Sequence, residues 1–479
     1  MITITQAPTG SLTSAGNNNY YVVKSETPFS MSAYNDFYYI ADVIVTNATY
    51  PTGSQVARLV SYPDSNGYGT FDLQNIANSF VSYDFPGYIT EDVLFFNTAS
   101  NSSAQIQLEF GERYVYNSTF SQSYNLNSSD TIGYCNGSLS WSDQNYFDYN
   151  RLIMTPSISG SQFLTDYYSV DYNGYKDLRN WLYFYNLPPS GVLGAILTTN
   201  DGAGNVVGSY TFSNPYSSVL GVQYISVGYP QLKQLPTSSY TVLTGSVTII
   251  NPNVVTYTIQ LTASGSNFVI DADSAFLVDF DGTNIVDAGV TTNYNYLEDY
   301  DSIYLTDYDG ATLITDGLVS NIAISNPITF TVMNNCGKFR DTSVAIYWLS
   351  KLGGFESVLM NKMNVYTKSK VIAQYLKNNV KTNSSGRIVQ RAYDMGLTNF
   401  YTQITNNIKF NSDFVSDAQA EWIAGMFQSP VIFVQTHDGV IQAANVVEDT
   451  YEVYKQANKK LNSVSLTLEL GQNDYSQRL

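Results

Sequence analysis

One short stretch constrains the fold of this chain more than any other. Near residue 345, apolar side chains alternate with period two. Val344, Ile346 and Trp348 fall on one side, Tyr347 and Leu349 on the other. Such alternation predicts a strand with at least one buried face. Lys351-Leu352-Gly353-Gly354 follows. Glycine reaches positive φ without steric penalty, so the pair turns the chain sharply. A second apolar run over 355–365 leads away. The stretch 341–365 therefore predicts a hairpin with Trp348 as its anchor.

The charge balance changes at the same place. Residues 1–340 hold 28 Asp and Glu against 9 Lys and Arg, a balance of −19. Residues 341–479 hold 12 against 13, a balance of +1, and together they make the net −18. Such asymmetry suggests separate domains facing different surroundings. The acidic total argues against nucleic acid as the main partner, because phosphate binding needs a basic face.

A chain of 479 residues exceeds one core and suggests roughly three or four domains. Aromatics make up 14% and charged residues only 13%, the reverse of a disordered chain. Tyr, Thr, Val, Asn, Ser and Gly dominate residues 1–340, which favours strands joined by tight turns. The expected fold is mainly β: tandem β-sandwich or barrel-like domains over 1–115, 116–235 and 236–340, followed by a C-terminal α+β docking domain over 341–479. In the first domain, strands are predicted over 2–5, 20–24, 37–46, 56–62 and 105–110. Leu73, Ile76, Ala77 and Phe80 have helical spacing, with Asp72 as the expected cap. Residues 117–150 read as a polar surface excursion. Strands are then predicted over 181–185 and 192–198, the latter leading into a hairpin loop at 200–205, and over 240–243, 245–250, 256–262 and 328–333.

In the last region, Ser416-Asp417-Ala418-Gln419 fits a capping box. It opens a helix whose apolar face holds Trp422, Ile423, Met426 and Phe427, and Pro430 stops it. A hairpin is predicted at 431–447 around His437-Asp438-Gly439, and a final strand over 464–470. The basic tract from Lys368 to Arg391 reads as a solvated helix face, or as a surface for docking on the acid-rich domains of a neighbouring copy. No run of about 18 apolar residues exists, so no membrane span is expected. The first residues lack the basic and apolar segments of a secretory signal.

Candidate chemistry is sparse. Asp279-Phe280-Asp281-Gly282 and Asp307-Tyr308-Asp309-Gly310 place alternating carboxylates where Asp279, Asp281, Asp307 and Asp309 could hold a hard cation such as calcium. Neither completes an EF-hand loop, and Asp-Gly is also an ordinary hairpin turn. No other cofactor is expected. The same carboxylates could form a glycosidase pair, but no motif supports one. His437, the only histidine, sits at a predicted hairpin tip, and no Gly-x-Ser-x-Gly elbow accompanies it. Cys135 and Cys336 make no disulfide framework and are expected reduced and partly buried. Asn47, Asn101, Asn117, Asn127, Asn136 and Asn383 begin Asn-x-Ser/Thr triplets, which chance explains in a chain this rich in those residues.

A resemblance runs through several of these segments. It is carried by the Trp348-Leu349-Ser350-Lys351-Leu352-Gly353-Gly354 turn, the Glu421-Trp422 helix running to Ser429-Pro430, and Tyr62-Pro63-Asp64 followed by Gly69-Thr70-Phe71-Asp72-Leu73. The chain resembles, over about a third of its length, a group of bacteriophage virion proteins often encoded among tail genes. The resemblance implies a non-enzymatic structural component of the virion, at a tail tip or baseplate or as a spike. Its partners would be other virion proteins and copies of itself, with a role in host attachment. It supplies no catalytic residues. The structural anchors expected are Trp348, Gly353, Gly354, Trp422 and Pro430. Two alternatives stand beside it: a carbohydrate-binding adhesin or receptor-binding spike that takes a host-surface glycan, and a polysaccharide-degrading enzyme.

Overall fold

The structure is a computed structural model. It describes residues 1–26, 34–88, 94–144, 146–156, 161–189, 191–263, 295–296, 314–315, 322–333, 343–360, 362, 364–378, 381–389, 395–412, 415–436, 439–448, 463–471 and 474–475. The described residues are mainly β, 53% in strands against 11% in helices, and build several multi-stranded sheets with short helices between them. Asp279, Asp281, Asp307 and Asp309, together with Cys336, His437 and Asp438, lie outside the described residues.

The first sheets follow the predicted strands. Ile2–Gln6, Tyr20–Ser25 and Tyr68–Asp72 form one small antiparallel sheet. Beside it runs a six-stranded sheet centred on Tyr34–Thr46 and Ser103–Tyr116. These strands alternate as the period-two pattern requires: Ile106, Leu108 and Phe110 are wholly buried while Gln105, Gln107 and Glu109 are only partly covered. Two expectations are corrected here. Residues 117–150 are no surface excursion, because Thr119–Ser128 and Ile132–Cys135 both pair with Ser103–Tyr116. Ile132, Tyr134 and Cys135 are buried in the core, so long-range pairing overrides the polar local composition. The Gln74–Phe80 helix has Leu73, not Asp72, at its N-cap position. Asp72 still serves its start, since its Oδ1 accepts from the Gln74 backbone N–H at 3.0 Å and from that of Asn19 at 3.1 Å.

The middle of the chain forms two further sheets. Ile153–Met154, Trp181–Asn186, Gly221–Ser226 and Phe96–Thr98 make a four-stranded one. A seven-stranded one takes Asp171–Tyr175, Ile328–Met333, Thr256–Ala263, Val192–Asn200, Val206–Ser213 and Thr241–Gly245 in that order, with Ile322–Ala323 beside Thr256–Ala263. The 200–205 loop turns as predicted. Asp201 accepts from the backbone N–H groups of Ala203 and Asn205 at 2.9 and 2.8 Å. The strand predicted over 245–250 is not formed beyond Gly245; Ile249 and Ile250 are buried as irregular backbone instead. Sheets cross the borders expected at 115 and 235. Phe96–Thr98 pairs with Gly221–Ser226, and the seven-stranded sheet draws strands from residue 171 to residue 333.

Among its described residues, the C-terminal region forms an eight-stranded sheet, a two-stranded hairpin of Lys381–Thr382 and Ile388–Val389, and one helix. The order of the large sheet is Phe355–Met360, Val344–Leu349, Ile432–Gln435, Ile441–Val446, Ser465–Leu470, Met395–Asn411 and Val365–Asn378, with Asp474–Tyr475 beside Met395–Asn411. The predicted hairpin is present, with Trp348 opposite Glu356 in register. Asp417–Gln428 is the helix; Ser416 Oγ accepts from the Gln419 N–H at 3.2 Å, and Trp422, Ile423 and Met426 are buried. The tract expected to be a helix face is corrected: Val365–Asn378 is a strand, paired along its length with Met395–Asn411.

Four hydrophobic clusters hold these sheets. Three are regional: one within residues 2–134, one within 95–330, one within 344–470. The fourth joins all regions, running from Leu12 and Cys135 through Trp181 and Tyr183 to Tyr347, Phe355 and Phe433. Phe85 packs against it, stacked on Phe433 at 4.0 Å between ring centroids and 5.8 Å from Trp181.

Candidate functional site

Two places carry chemistry that the fold assembles and a single segment could not. The first is a seam around the two C-terminal tryptophans. Trp348 is wholly buried and Trp422 nearly so, their rings 4.9 Å apart. Tyr167 meets Trp422 edge-on at 4.7 Å and stacks on Tyr172 at 3.9 Å. The Gly353-Gly354 turn locks the hairpin to the rest of the chain. Gly353 has φ +93°, and a Cβ there would fall on the Asn136 carbonyl; one at Gly354 would fall on the carbonyl of Leu164. The Ser138 N–H donates to the Lys351 carbonyl across the same contact at 2.9 Å. Of the expected anchors, Trp348 and Trp422 meet each other in the C-terminal cluster, while Gly353 and Gly354 meet Asn136, Leu164 and Tyr183. Pro430 joins neither group. It is exposed just past the helix, whose end is closed instead by the Ser429 N–H donating to the Met426 carbonyl.

Under the tryptophans lies a carboxyl pair that sequence reasoning missed. Glu356 is buried and accepts from the Thr165 hydroxyl, which lies 3.0 Å from the Tyr172 hydroxyl. Burial, and then the charge of Asp166, push the Glu356 carboxyl up to about 8. Burial raises Asp166 as well, with Lys351 acting against it. Asp166 Oδ1 and Trp348 Nε1 are both buried without a hydrogen-bond partner. A Cβ added at Gly425 would lie 3.8 Å from Asp166 Oδ2 and from Trp348 Nε1, so the helix closes over both groups. Both shifts favour the uncharged, protonated form of the buried carboxyls. The register gave one signal: Glu356 faces Trp348 across the hairpin.

A cleft of about 240 Å³ opens beside the seam, lined among others by Tyr167, Tyr172, Asn180, Ser357, Gln419 and Trp422. Neither Glu356 nor Asp166 lines it. Aromatic walls with amides and hydroxyls suit a polar organic ligand more than acid–base chemistry. Among the described residues, no three His, Cys, Asp or Glu side chains converge in a way that could hold a metal ion. Cys135 is buried and free, its thiol pushed up to about 12 by burial, which makes it an unreactive packing residue. Several Asn-x-Ser/Thr amides are used internally. Asn101 Nδ2 donates to Asp84, Asn127 Nδ2 to the Ile2 carbonyl and Asn136 Nδ2 to the Ser82 carbonyl.

The second place is the ribbon formed by Val365–Asn378 and Met395–Asn411. At its base, Asn407–Asn411 pairs with Ser465–Leu470, and Gln403 and Ile404 pair with Asp474–Tyr475. Beyond Thr402 the two strands pair only with each other among the described residues. Fourteen residues of strand span about 45 Å at roughly 3.3 Å each. Every residue of 365–376 is exposed, including Tyr366, Val371, Ile372, Tyr375 and Leu376, the last at 72%. Residues 365–411 hold seven Lys and Arg against one acid, Asp394. Among the described residues, no helix is long and apolar enough to cross a membrane.

No family model and no curated protein matches the chain. Among solved structures it is similar to the Bacillus anthracis TIE protein, with 8% identity, 85% of this chain and 69% of that chain covered, and a TM-score of 0.12. A likeness of that size carries no argument about fold or function.

Proposed function

We propose that this protein is a non-enzymatic structural component of a bacteriophage virion, at a tail tip or baseplate or as a spike, acting in particle assembly. The observation that carries the reading is the ribbon. A two-stranded ribbon is marginal by itself in water, and one that leaves its sheet with large apolar side chains on both faces needs another surface to cover them. The seam supports the same reading, because its carboxyls are buried under the tryptophans and neither lines the cleft. The resemblance at the Trp348–Gly354 turn and the Trp422 helix supplies the virion context. Antibody against the chain, applied to purified particles, tests it. Label fixed at one site on the particle is the expected result; protein found only outside particles would overturn it.

A second reading, a glycan-binding adhesin, is favoured by the cleft beside Trp422. Selective signal on a glycan array, lost in a Gln419→Ala variant, would promote it over the first.

A further inference from the structure

We infer that the ribbon is a docking arm for a second copy of this chain, seated on the acidic surface of that copy's residues 1–340. The two strands of the ribbon hold four lysines, Lys368, Lys370, Lys377 and Lys409, and no acid, a net +4 on a chain of net −18. Lys368, Lys370 and Lys409 are exposed on it, and Arg387 is exposed in the short hairpin of Lys381–Thr382 and Ile388–Val389 that lies between its strands in sequence. The surface presented by residues 1–340 is of opposite sign, with Asp64, Asp130 and Asp171 exposed among its carboxylates. A basic strip carried on an acidic body finds its most abundant complement in another copy of itself, and opposed potentials steer the encounter.

Shape and exposure select a protein surface over a polyanion. Lys368 and Lys370 share a strand face with Tyr366 and Ile372, by the period of two. Tyr366 is 52% and Ile372 40% exposed, and Leu376, Leu397 and Ile388 exceed 60%. Phosphate backbones reward the lysines and leave these apolar groups in water. A protein surface covers both. Among the described residues, no further strand pairs with the outer edge of Val365–Asn378.

The contact joins two different patches, arm to body, so it is heterologous. Such contacts propagate into rings or open chains of copies rather than stopping at a symmetric dimer. The inference rests on the structural reading above, and it specifies what the ribbon binds. It is tested in solution, apart from any particle.

The test uses the full chain and a variant with Lys368→Glu, Lys370→Glu and Arg387→Glu, in sedimentation at low and high salt. The expected result is a ladder of species for the unaltered chain at low salt. Both high salt and the variant should collapse it to monomer, and in high salt, where both chains are monomeric, the two should melt at the same temperature. A carbodiimide on a mixture of isotope-labelled and unlabelled chains should join Lys370 of one copy to carboxylates within 1–340 of another. The unaltered chain remaining monomeric at every salt concentration, association unchanged in the variant, or links confined to residues 341–479 would each overturn the inference. Charge-dependent association by a protein absent from particles would sink the virion reading alone. Particle label with a monomeric chain would sink the arm alone.

Discussion

Trp422 shows what one residue contributes at the seam. It covers Trp348, meets Tyr167 and Tyr168, and walls the cleft, so Trp422→Ala removes a ring from three neighbours at once. The expected loss is about 3–5 kcal/mol, read from urea unfolding, and a change below about 1 kcal/mol would show the ring is not packed. Glu356 makes a different prediction. It keeps its proton in the folded chain at pH values where an exposed carboxyl, near its ordinary 4.5, has lost it. The folded state then binds more protons than the unfolded state. The stability this group contributes is therefore complete below about 4.5, declines as pH rises, and is gone above about 8. Glu356→Gln should flatten the fall in melting temperature across that window. An unchanged slope would mean that Glu356 titrates normally. Trp348 and Trp422 were legible as anchors because large apolar residues at strand and helix spacing have few places to go. Glu356 was not, since a carboxylate in an alternating strand reads as solvent-facing. Only the fold brings Asp166 and the closing helix over it.

Among the elements, the hairpin and the helix were read correctly because their signals are local. A period-two run before paired glycines and a Ser416 cap both act within a few residues. The ribbon was misread as helical. Its lysines and polar residues hide a strand that is held by long-range pairing rather than by burial. Amide exchange should display that difference. Ile408 and Phe410, buried where the ribbon joins the sheet, should exchange only through large-scale opening. The amides of Ala373 to Leu376, beyond the last third strand, should exchange orders of magnitude faster in the isolated chain. Equal protection along the ribbon would show that the free portion is already covered.

At the level of the whole molecule, the sheets and the cores divide the chain differently. Sequence composition predicted tandem domains, and three clusters are regional. The fourth is not, because Phe85, Trp181, Tyr347 and Phe433 were invisible to one another in sequence yet converge in space. Shared aromatic packing couples the regions, so heating should give one main transition rather than a separate step for each region. Phe85→Ala should lower it by about 3 kcal/mol, the low end for such a truncation because Phe85 is only partly buried. A melt that resolves into independent steps, with Phe85→Ala moving only one, would contradict this coupling.

The stacking of Phe85 on Phe433 also sets a timetable for synthesis. The two residues are 348 positions apart, 433 minus 85. At about 5–20 residues per second, the ribosome exposes the earlier ring roughly 20–70 s before its partner emerges. Until then a sticky aromatic surface faces the cytosol, and a nascent chain stalled short of residue 433 should need a chaperone to stay in solution.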